Sequence, residues 1–288
     1  MLPATPTQRS KALGVALRVG VFAIIAVLGN YIVFPLIIGL IGVPILVVAT
    51  LGTFAAAAVA NAVVLRIYER AQLANIGLGW MAASRRNLVL GMLGGIGAGL
   101  VVLVGPIAVR VADLELVPDQ HMQWPSLLFV SIVLLFGAVG EEMLFRGYAF
   151  QVLVKFIGPF ATILPMAILF GLAHSLNLNF TALAFFNTTL WGIVLGYAFV
   201  VSGDLWLPIG LHFGWNWTLP LLGVNLSGFT MGVTGYSLHW KIGELWSGGE
   251  YGPEGGLLST AVVALLFFYL RKAPIQHQDA FLLREASS

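Results

Sequence analysis

Long apolar runs constrain this chain more than any other feature of its sequence. A helix needs about 20 mainly apolar residues to cross the hydrocarbon core of a membrane. Only 9% of the 288 residues are charged, whereas soluble domains carry about 25%. We therefore predict an all-α, polytopic membrane protein with about eight transmembrane helices, forming a single transmembrane domain over 1–288. The predicted spans are 15–37, 43–65, 88–109, 126–150, 160–176, 181–201, 206–223 and 257–270.

Basic residues are divided very unevenly between the two sides of these spans. If the N-terminus is cytoplasmic, twelve Lys and Arg residues fall on the cytoplasmic side, and only Arg110 and Lys241 fall outside. Cytoplasmic segments of polytopic proteins carry such an excess of Lys and Arg. We predict an integral membrane protein with both termini cytoplasmic and membrane lipids as partners. The short loops favour a prokaryotic plasma membrane.

Composition also excludes several classes of function. The formal net charge of +2 is too small to indicate a nucleic-acid partner. The chain has no cysteine, which excludes a disulfide framework, a thiol nucleophile and a thiolate metal site.

Three charged residues interrupt the apolar sequence of the fourth span. Glu141, Glu142 and Arg146 lie within GAVGEEMLFRGYAF, residues 137–150. An ionisable group inside a span costs roughly 2.5–3.5 kcal/mol on insertion scales, so each is a functional candidate. Glu142 and Arg146 are four residues apart and can pair on one helix face. If the span instead ended near Gly140, all three charges would lie among the lipid headgroups.

Two histidines lie in later spans, each with a companion one helical turn away. FGLAH places Phe170 four residues before His174, and HFGWN places His212 four residues before Asn216. Either histidine alone is typical of a hydrogen-bonded polar group between helices. Together with a carboxylate, they can hold a water molecule, and an Asn side chain can donate to an oxyanion. The set therefore favours hydrolysis.

These three motifs, in this order and each on its own span, resemble the CPBP family of intramembrane endopeptidases. That family includes the type 2 CAAX prenyl proteases and the bacteriocin-processing Abi proteins. The matching stretches are EEMLFR at 141–146, FGLAH at 170–174 and HFGWN at 212–216. The resemblance covers about 125–225, which we take as the peptidase core.

The resemblance implies a role for each matched position. Glu141 would be the base that activates the attacking water, and Glu142 would support it or pair with Arg146. His174 and His212 would hold the water, and Asn216 would donate to the tetrahedral oxyanion. Arg146 would be structural, and Phe170 would form a wall of the site.

The sequence leaves open whether the site binds a metal ion. Glu141, His174 and His212 would make a plausible three-ligand zinc site, and Glu142 would then have to be the base. Alternatively, a glutamate and a histidine activate water without a metal. The sequence contains no HExxH motif of the familiar zinc proteases.

The three motifs can lie at the same depth in the membrane only if the fourth span is longer than its charges suggest. The fourth span must run on toward Phe156 and bury Arg146, which places the site in a hydrated cavity just below the cytoplasmic surface. We therefore expect hydrolysis of a peptide bond near the cytoplasmic membrane interface, in a peptide, a bacteriocin precursor or a prenylated CaaX-type protein. The alternatives are a non-catalytic membrane scaffold or bacteriocin-immunity protein of the same fold, and an ion-coupled transporter.

Overall fold

A computed structural model describes residues 6–118 and 121–284, and these form a helical bundle with a single two-stranded sheet. The all-α polytopic prediction is confirmed. The outer parts of the predicted single domain, 1–5 and 285–288, lie outside the described residues, as do 119–120. The helices are α1 (Pro6–Leu28), α2 (Phe34–Gly39), α3 (Ile45–Val64), α4 (Ala82–Ala108), α5 (Trp124–Arg146), α6 (Tyr148–Ile157), α7 (Pro159–Ala173), α8 (Ala182–Ser202), α9 (Trp206–Thr218), α10 (Glu244–Ser247) and α11 (Leu257–Lys272).

Six helical stretches of the described chain are long and apolar enough to cross a membrane. The fourth of them runs from Trp124 to Ile157, so the apolar helical sequence continues past Arg146 toward Phe156, with a break at Gly147. The last two predicted spans correspond to α9 and α11, with 13 and 16 residues. Both are shorter than the roughly 20 residues that a perpendicular span needs. The six stretches are Arg9–Gly39, Ile45–Glu69, Ala82–Ala108, Trp124–Ile157, Pro159–Leu176 and Ala182–Ser202.

The short helix α9 is held in the bundle by unusually close packing on α4. A Cβ atom at Gly91 would lie 2.2 Å from the Leu207 carbonyl oxygen, and one at Gly95 would lie 2.1 Å from that of Leu211. The approach is mutual, because a Cβ at Gly210 would lie 2.3 Å from the carbonyl oxygen of Leu88. Small residues let helix backbones approach this closely inside a membrane.

One end of the bundle gathers the basic segments. Arg18 donates to Glu69 at 2.8 Å, and the hydroxyl of Tyr148 donates to the same carboxylate at 2.8 Å. Lys155 donates to the carbonyl of Arg284 at 2.6 Å. These contacts hold together α1, the segment after α3, both ends of α6 and the C-terminal tail. We call this end the basic end.

The opposite end is built from loops. There β1 (Ala112–Leu116) pairs antiparallel with β2 (Tyr236–Trp240), and the Gln123 amide donates to the Val233 carbonyl at 3.4 Å. We call it the loop end. These strands were not predicted from the sequence, because five residues are too few to show alternation clearly.

The glycine-rich segment 247–256 at the loop end has the composition of a flexible connection, and the structure contradicts that interpretation. Tyr251 is buried, and burial, together with the neighbouring Glu254 carboxylate, raises the pKa of its phenol. Gly252 has φ of +100°, and a Cβ there would lie 2.1 Å from the Asn225 carbonyl oxygen. Here glycine serves a compact turn rather than flexibility.

The close contact between α4 and α9 can be tested by adding one methyl group. We expect Gly95→Ala to lower the free energy of unfolding by about 1–3 kcal/mol, because its Cβ has no space beside Leu211. Thermal unfolding in detergent measures the effect. Gly97→Ala is the matched control, since a Cβ at Gly97 would meet no atom within 4 Å. Equal stability of the two variants would contradict this packing.

Candidate active site

The site is built around a break between α5 and α6. Gly147 forms the break, and a Cβ there would lie 2.1 Å from the carbonyl oxygen of Met143. The side chain of Asn61, on α3, donates to the Met143 carbonyl at 2.9 Å and accepts from the Tyr148 amide at 2.8 Å. Asn61 thus satisfies backbone groups on both sides of the break and fixes the end of α5.

Glu142 is fully buried and joins α5 to α9. Its Oε1 atom lies 3.1 Å from Nη1 of Arg146 and 2.9 Å from Nδ1 of His212. A carboxylate buried without partners would be strongly unfavourable, and two nitrogen donors offset that penalty. The pair that the sequence predicted between Glu142 and Arg146 is present, and it extends to His212.

Arg146 also contacts α7 and α8. Its Nη2 atom donates to the Gly192 carbonyl at 2.9 Å, and its guanidinium lies 4.7 Å from the centre of the Phe170 ring. The side chain is almost completely buried. The planar Arg146 guanidinium therefore contacts a carboxylate, a carbonyl and an aromatic face at once. The ammonium group of a lysine could not make all three contacts.

The two histidines direct their Nε2 atoms toward the same space. The Nδ1 atom of His174 lies 2.8 Å from the Phe170 carbonyl oxygen, so it must carry the proton and donate. In His212 the Nδ1 position faces the Glu142 carboxylate at 2.9 Å and donates likewise. In the neutral rings both Nε2 atoms are then free to accept.

Glu141 lies opposite both histidines. Its Oε2 atom is 3.7 Å from Nε2 of His174 and 3.9 Å from Nε2 of His212. Among the described residues this oxygen has no direct hydrogen-bond partner. Separations just beyond hydrogen-bond length suit a bridging water. The arrangement can therefore hold a water between one carboxylate and two imidazoles.

A cavity of about 860 Å³ reaches this space, and most of its wall is apolar. Glu141, His174, His212 and Asn216 all line it, and so does Phe170. Glu142 and Arg146 lie behind the wall, fully or almost fully buried. The sequence-predicted residues are thus brought together, with two of them in supporting positions.

The cavity extends along the bundle on both sides of the site. Tyr31, Ile45 and Phe229 line it near the loop end, and Val19 and Ala149, next to Arg18 and Tyr148 of the basic end, line it as well.

The predicted zinc ligands can be compared with a tetrahedral site. Two ligand atoms bound at about 2.0 Å lie about 3.3 Å apart in that geometry. The carboxylate-to-imidazole separations of 3.7 and 3.9 Å are longer. Within 6–118 and 121–284, no group of three or more His, Cys, Asp or Glu side chains is arranged to hold a metal ion. As placed, Glu141, His174 and His212 do not fit zinc.

Several supporting residues were not recognised from the sequence. An asparagine within a span, such as Asn61, predicts only a hydrogen bond between helices. Gln151 donates to the carbonyls of Ile76 and Arg146 at 2.9 and 3.0 Å. Glu254, which lines the cavity, accepts from the Trp215 indole at 3.2 Å. No local spacing signals these residues, because each acts on a distant part of the chain.

The fold and the site together define a polytopic, all-α membrane protein with a buried cluster of polar side chains. Residues 123–218 match the family model described as type II CAAX prenyl endopeptidase, Rce1-like, and this range contains all three motifs. The match confirms, over this range, the resemblance to type II CAAX prenyl endopeptidases drawn from the motifs. A search of curated proteins and a search of solved structures each found no match.

The triple contact of Arg146 can be tested by a charge-conserving change. We expect Arg146→Lys to lower the free energy of unfolding by about 1–3 kcal/mol, because Lys cannot bind Glu142 and the Gly192 carbonyl together. Unfolding in detergent measures the loss. Arg271→Lys, on the exposed end of α11, is the control and should change stability by less than about 0.5 kcal/mol. An unchanged Arg146→Lys protein would contradict the assigned contacts.

Proposed function

We propose that the protein is an intramembrane endopeptidase in which Glu141 activates a water molecule for attack on a peptide bond. The observation that carries this proposal is the position of Glu141 Oε2, within 4 Å of the Nε2 atoms of two histidines that line the same cavity. The family match supports protease activity in general.

Glu141 is the better candidate for the base than Glu142. Its side chain is 27% exposed and lines the cavity, whereas that of Glu142 is 0% exposed. The Oε1 atom of Glu142 is also occupied by Arg146 and His212. A general base must come within hydrogen-bond reach of the proton that it removes. Glu142 instead orients His212, as a carboxylate behind a functional imidazole commonly does.

The first step forms the tetrahedral intermediate. A water held by Glu141 and the two imidazoles attacks the carbonyl carbon, and its proton passes to the Glu141 carboxylate. The new C–O bond forms as the carbonyl π electrons move to oxygen. Asn216, half-buried one helical turn from His212, donates its amide N–H to that oxyanion.

The second step breaks the peptide bond. The oxyanion collapses, the C–N bond cleaves, and the leaving nitrogen takes the proton from Glu141. Glu141 is thereby returned to its ionised form, and the products are a carboxylic acid and an amine, which exchange a proton to become carboxylate and ammonium. Phe170, held against His174 and the Arg146 guanidinium, shields one side of this space.

The substrate we propose is a peptide held at the membrane by an apolar group. The mostly apolar cavity wall favours such a substrate over a free polar peptide. Prenylated CaaX-type peptides and peptides processed in the membrane, such as bacteriocin precursors, both belong to this class.

A charge-removing change tests the proposed base. We expect Glu141→Gln to lower kcat about 10²- to 10⁴-fold, because the amide cannot accept the proton of water. Purified protein is incubated with a farnesylated CaaX peptide, and the released tripeptide is quantified. Glu115→Gln is the control, because Glu115 is exposed on β1 at the loop end.

Full activity of the Glu141→Gln protein would contradict the proposal. If the cellular phenotype also survives this change, the protein acts as a membrane scaffold or immunity protein. If instead purified protein in liposomes supports ion flux that depends on His212, the protein is a transporter.

Removal of metal tests whether Glu141, His174 and His212 instead bind a catalytic zinc ion. We expect cleavage to continue after dialysis against a chelator, because the donor separations exceed those of bound zinc. The rate is compared before and after dialysis, and after zinc is added back. Loss of activity that zinc restores would instead assign Glu141, His174 and His212 as metal ligands.

A further inference from the structure

A second carboxylate lies in the wall of the cavity, outside the proposed catalytic cluster. Glu254 belongs to the glycine-rich segment 247–256, and its side chain is 9% exposed and lines the cavity. It lies outside 123–218, so the family match assigns it no role. Of the described residues that line the cavity, only Glu141 and Glu254 are acidic, and none is Lys or Arg. One acidic side chain of this wall therefore has no part in the proposed hydrolysis.

The partners of the Glu254 carboxylate are all uncharged. Its Oε1 atom accepts from the Trp215 indole at 3.2 Å, and its Oε2 atom accepts from the Ser227 amide at 2.6 Å and the Ser227 hydroxyl at 2.7 Å. Within 6–118 and 121–284, none of the ion pairs includes Glu254. Buried charges in proteins are normally paired with an opposite charge. The charge of Glu254 is therefore available to a cation from outside this chain.

The carboxylate also has unused capacity to accept a hydrogen bond. A carboxylate can accept about four hydrogen bonds, whereas the contacts with Trp215 and Ser227 supply three. Two of them reach Oε2 and one reaches Oε1. The remaining capacity belongs to a side chain that lines the cavity, which is where a ligand would meet it.

Two tryptophans line the cavity beside this carboxylate. Trp215 donates to it, and Trp191 packs on Trp215 with ring centres 4.8 Å apart and an angle of 45° between the rings. Aromatic rings attract ammonium and guanidinium groups, and Trp is the strongest of these partners. A carboxylate beside a pair of indoles therefore favours a cation over a neutral polar group.

The backbone at Glu254 is anchored independently of its carboxylate. The side-chain amide of Asn187 donates to the carbonyls of Glu254 and Gly256 at 2.8 and 2.9 Å, and it accepts from the Thr260 hydroxyl at 2.6 Å. Asn187 lies on α8 and Thr260 on α11, so two helices hold this turn. A charge that is fixed in advance binds a ligand with less loss of conformational freedom. The turn thus presents the carboxylate in a set position.

Helix α9 connects this carboxylate to the proposed catalytic cluster. Trp215, which donates to Glu254, lies three residues after His212 and directly before Asn216. Side chains three residues apart on a helix are neighbours, with Cβ atoms about 5–6 Å apart. An extended peptide rises about 3.3 Å per residue. A cation bound at Glu254 would therefore lie only a few residues along a substrate from the attacked bond.

We propose that Glu254, with Trp191 and Trp215, forms a subsite that binds an ammonium or guanidinium group of the substrate peptide. The cation belongs to a Lys or Arg side chain or to a free amino terminus, a few residues from the cleaved bond. This inference rests on the proposed endopeptidase function, and it adds a positive charge to the apolar, membrane-held substrate. Long basic side chains suit this cavity, because their methylene stems pack on apolar walls.

Binding of an uncleavable peptide tests the subsite without an assay of hydrolysis. The probe is a farnesylated, amino-acetylated peptide in which a ketomethylene group replaces the amide after the cysteine. One lysine is moved through the positions around that bond, and norleucine, which has no charge, replaces it in each matched peptide. Dissociation constants are measured for purified protein in detergent, by competition with a fluorescent farnesylated peptide.

We expect lysine to bind about tenfold or more tightly than norleucine at one position, because hydrogen bonds between charged groups are stronger than neutral ones. Acetyl-lysine at that position should bind like norleucine, since acetylation removes the charge. Equal binding of all three peptides at every position, and no gain from a free amino terminus, would overturn the subsite.

Changes at Glu254 test whether this residue supplies the preference. Glu254→Gln keeps the size of the side chain and removes its charge, so lysine and norleucine peptides should then bind within about twofold of each other. Glu254→Asp keeps the charge and should retain a preference for lysine. Glu250→Gln is the matched control, because Glu250 is exposed in the same segment and does not line the cavity. An undiminished lysine preference in Glu254→Gln would overturn the assignment.

A further pair of peptides identifies the source of the cation. One carries lysine and an acetylated amino terminus, and the other carries norleucine and a free amino terminus. Tighter binding of the first assigns a side chain, and tighter binding of the second assigns the terminus. These dissociation constants do not depend on cleavage. The subsite can therefore be confirmed when the Glu141→Gln test fails, or be overturned when that test succeeds.

Discussion

The burial of the Glu142 carboxylate is the constraint on which the rest of the site depends. A carboxylate inside the bundle must have its charge compensated, and Arg146 and His212 lie at 3.1 and 2.9 Å. To reach it, Arg146 must stay buried at the end of α5, and α9 must bring His212 close to α5. The glycine contacts between α4 and α9 make that approach possible. One buried charge thus links helix packing to the orientation of an imidazole.

Because Glu142 is buried, the two neighbouring acids have different surroundings. Glu142 points into the protein, and Glu141, about 100° away on the helix, points into the cavity. His174 is oriented independently by the Phe170 carbonyl, so the two Nε2 atoms approach Glu141 from different helices. In the proposed mechanism, one acid supplies structure and its neighbour supplies chemistry, and that division follows from helix geometry.

Much of this arrangement could be predicted from local spacing. The pairing of Glu142 with Arg146 follows from their separation of four residues, and the extent of the fourth span follows from its apolar sequence beyond Arg146. Contacts between distant segments could not be predicted. Asn61 caps both sides of the α5 break from 82 residues away, and Glu254 binds Trp215 from a loop with the composition of a flexible one. The cavity likewise is lined by side chains that converge only in the folded bundle.

A double-mutant cycle at Glu142 and Arg146 tests the central role of the buried pair most directly. The free energy of unfolding is measured for the parent protein, Glu142→Gln, Arg146→Met and the double variant. Each single change leaves an uncompensated or unpaired buried group and should cost about 3–5 kcal/mol. We predict that the double variant loses much less than the sum of the two. Additive losses would show that the buried pair does not organise the site.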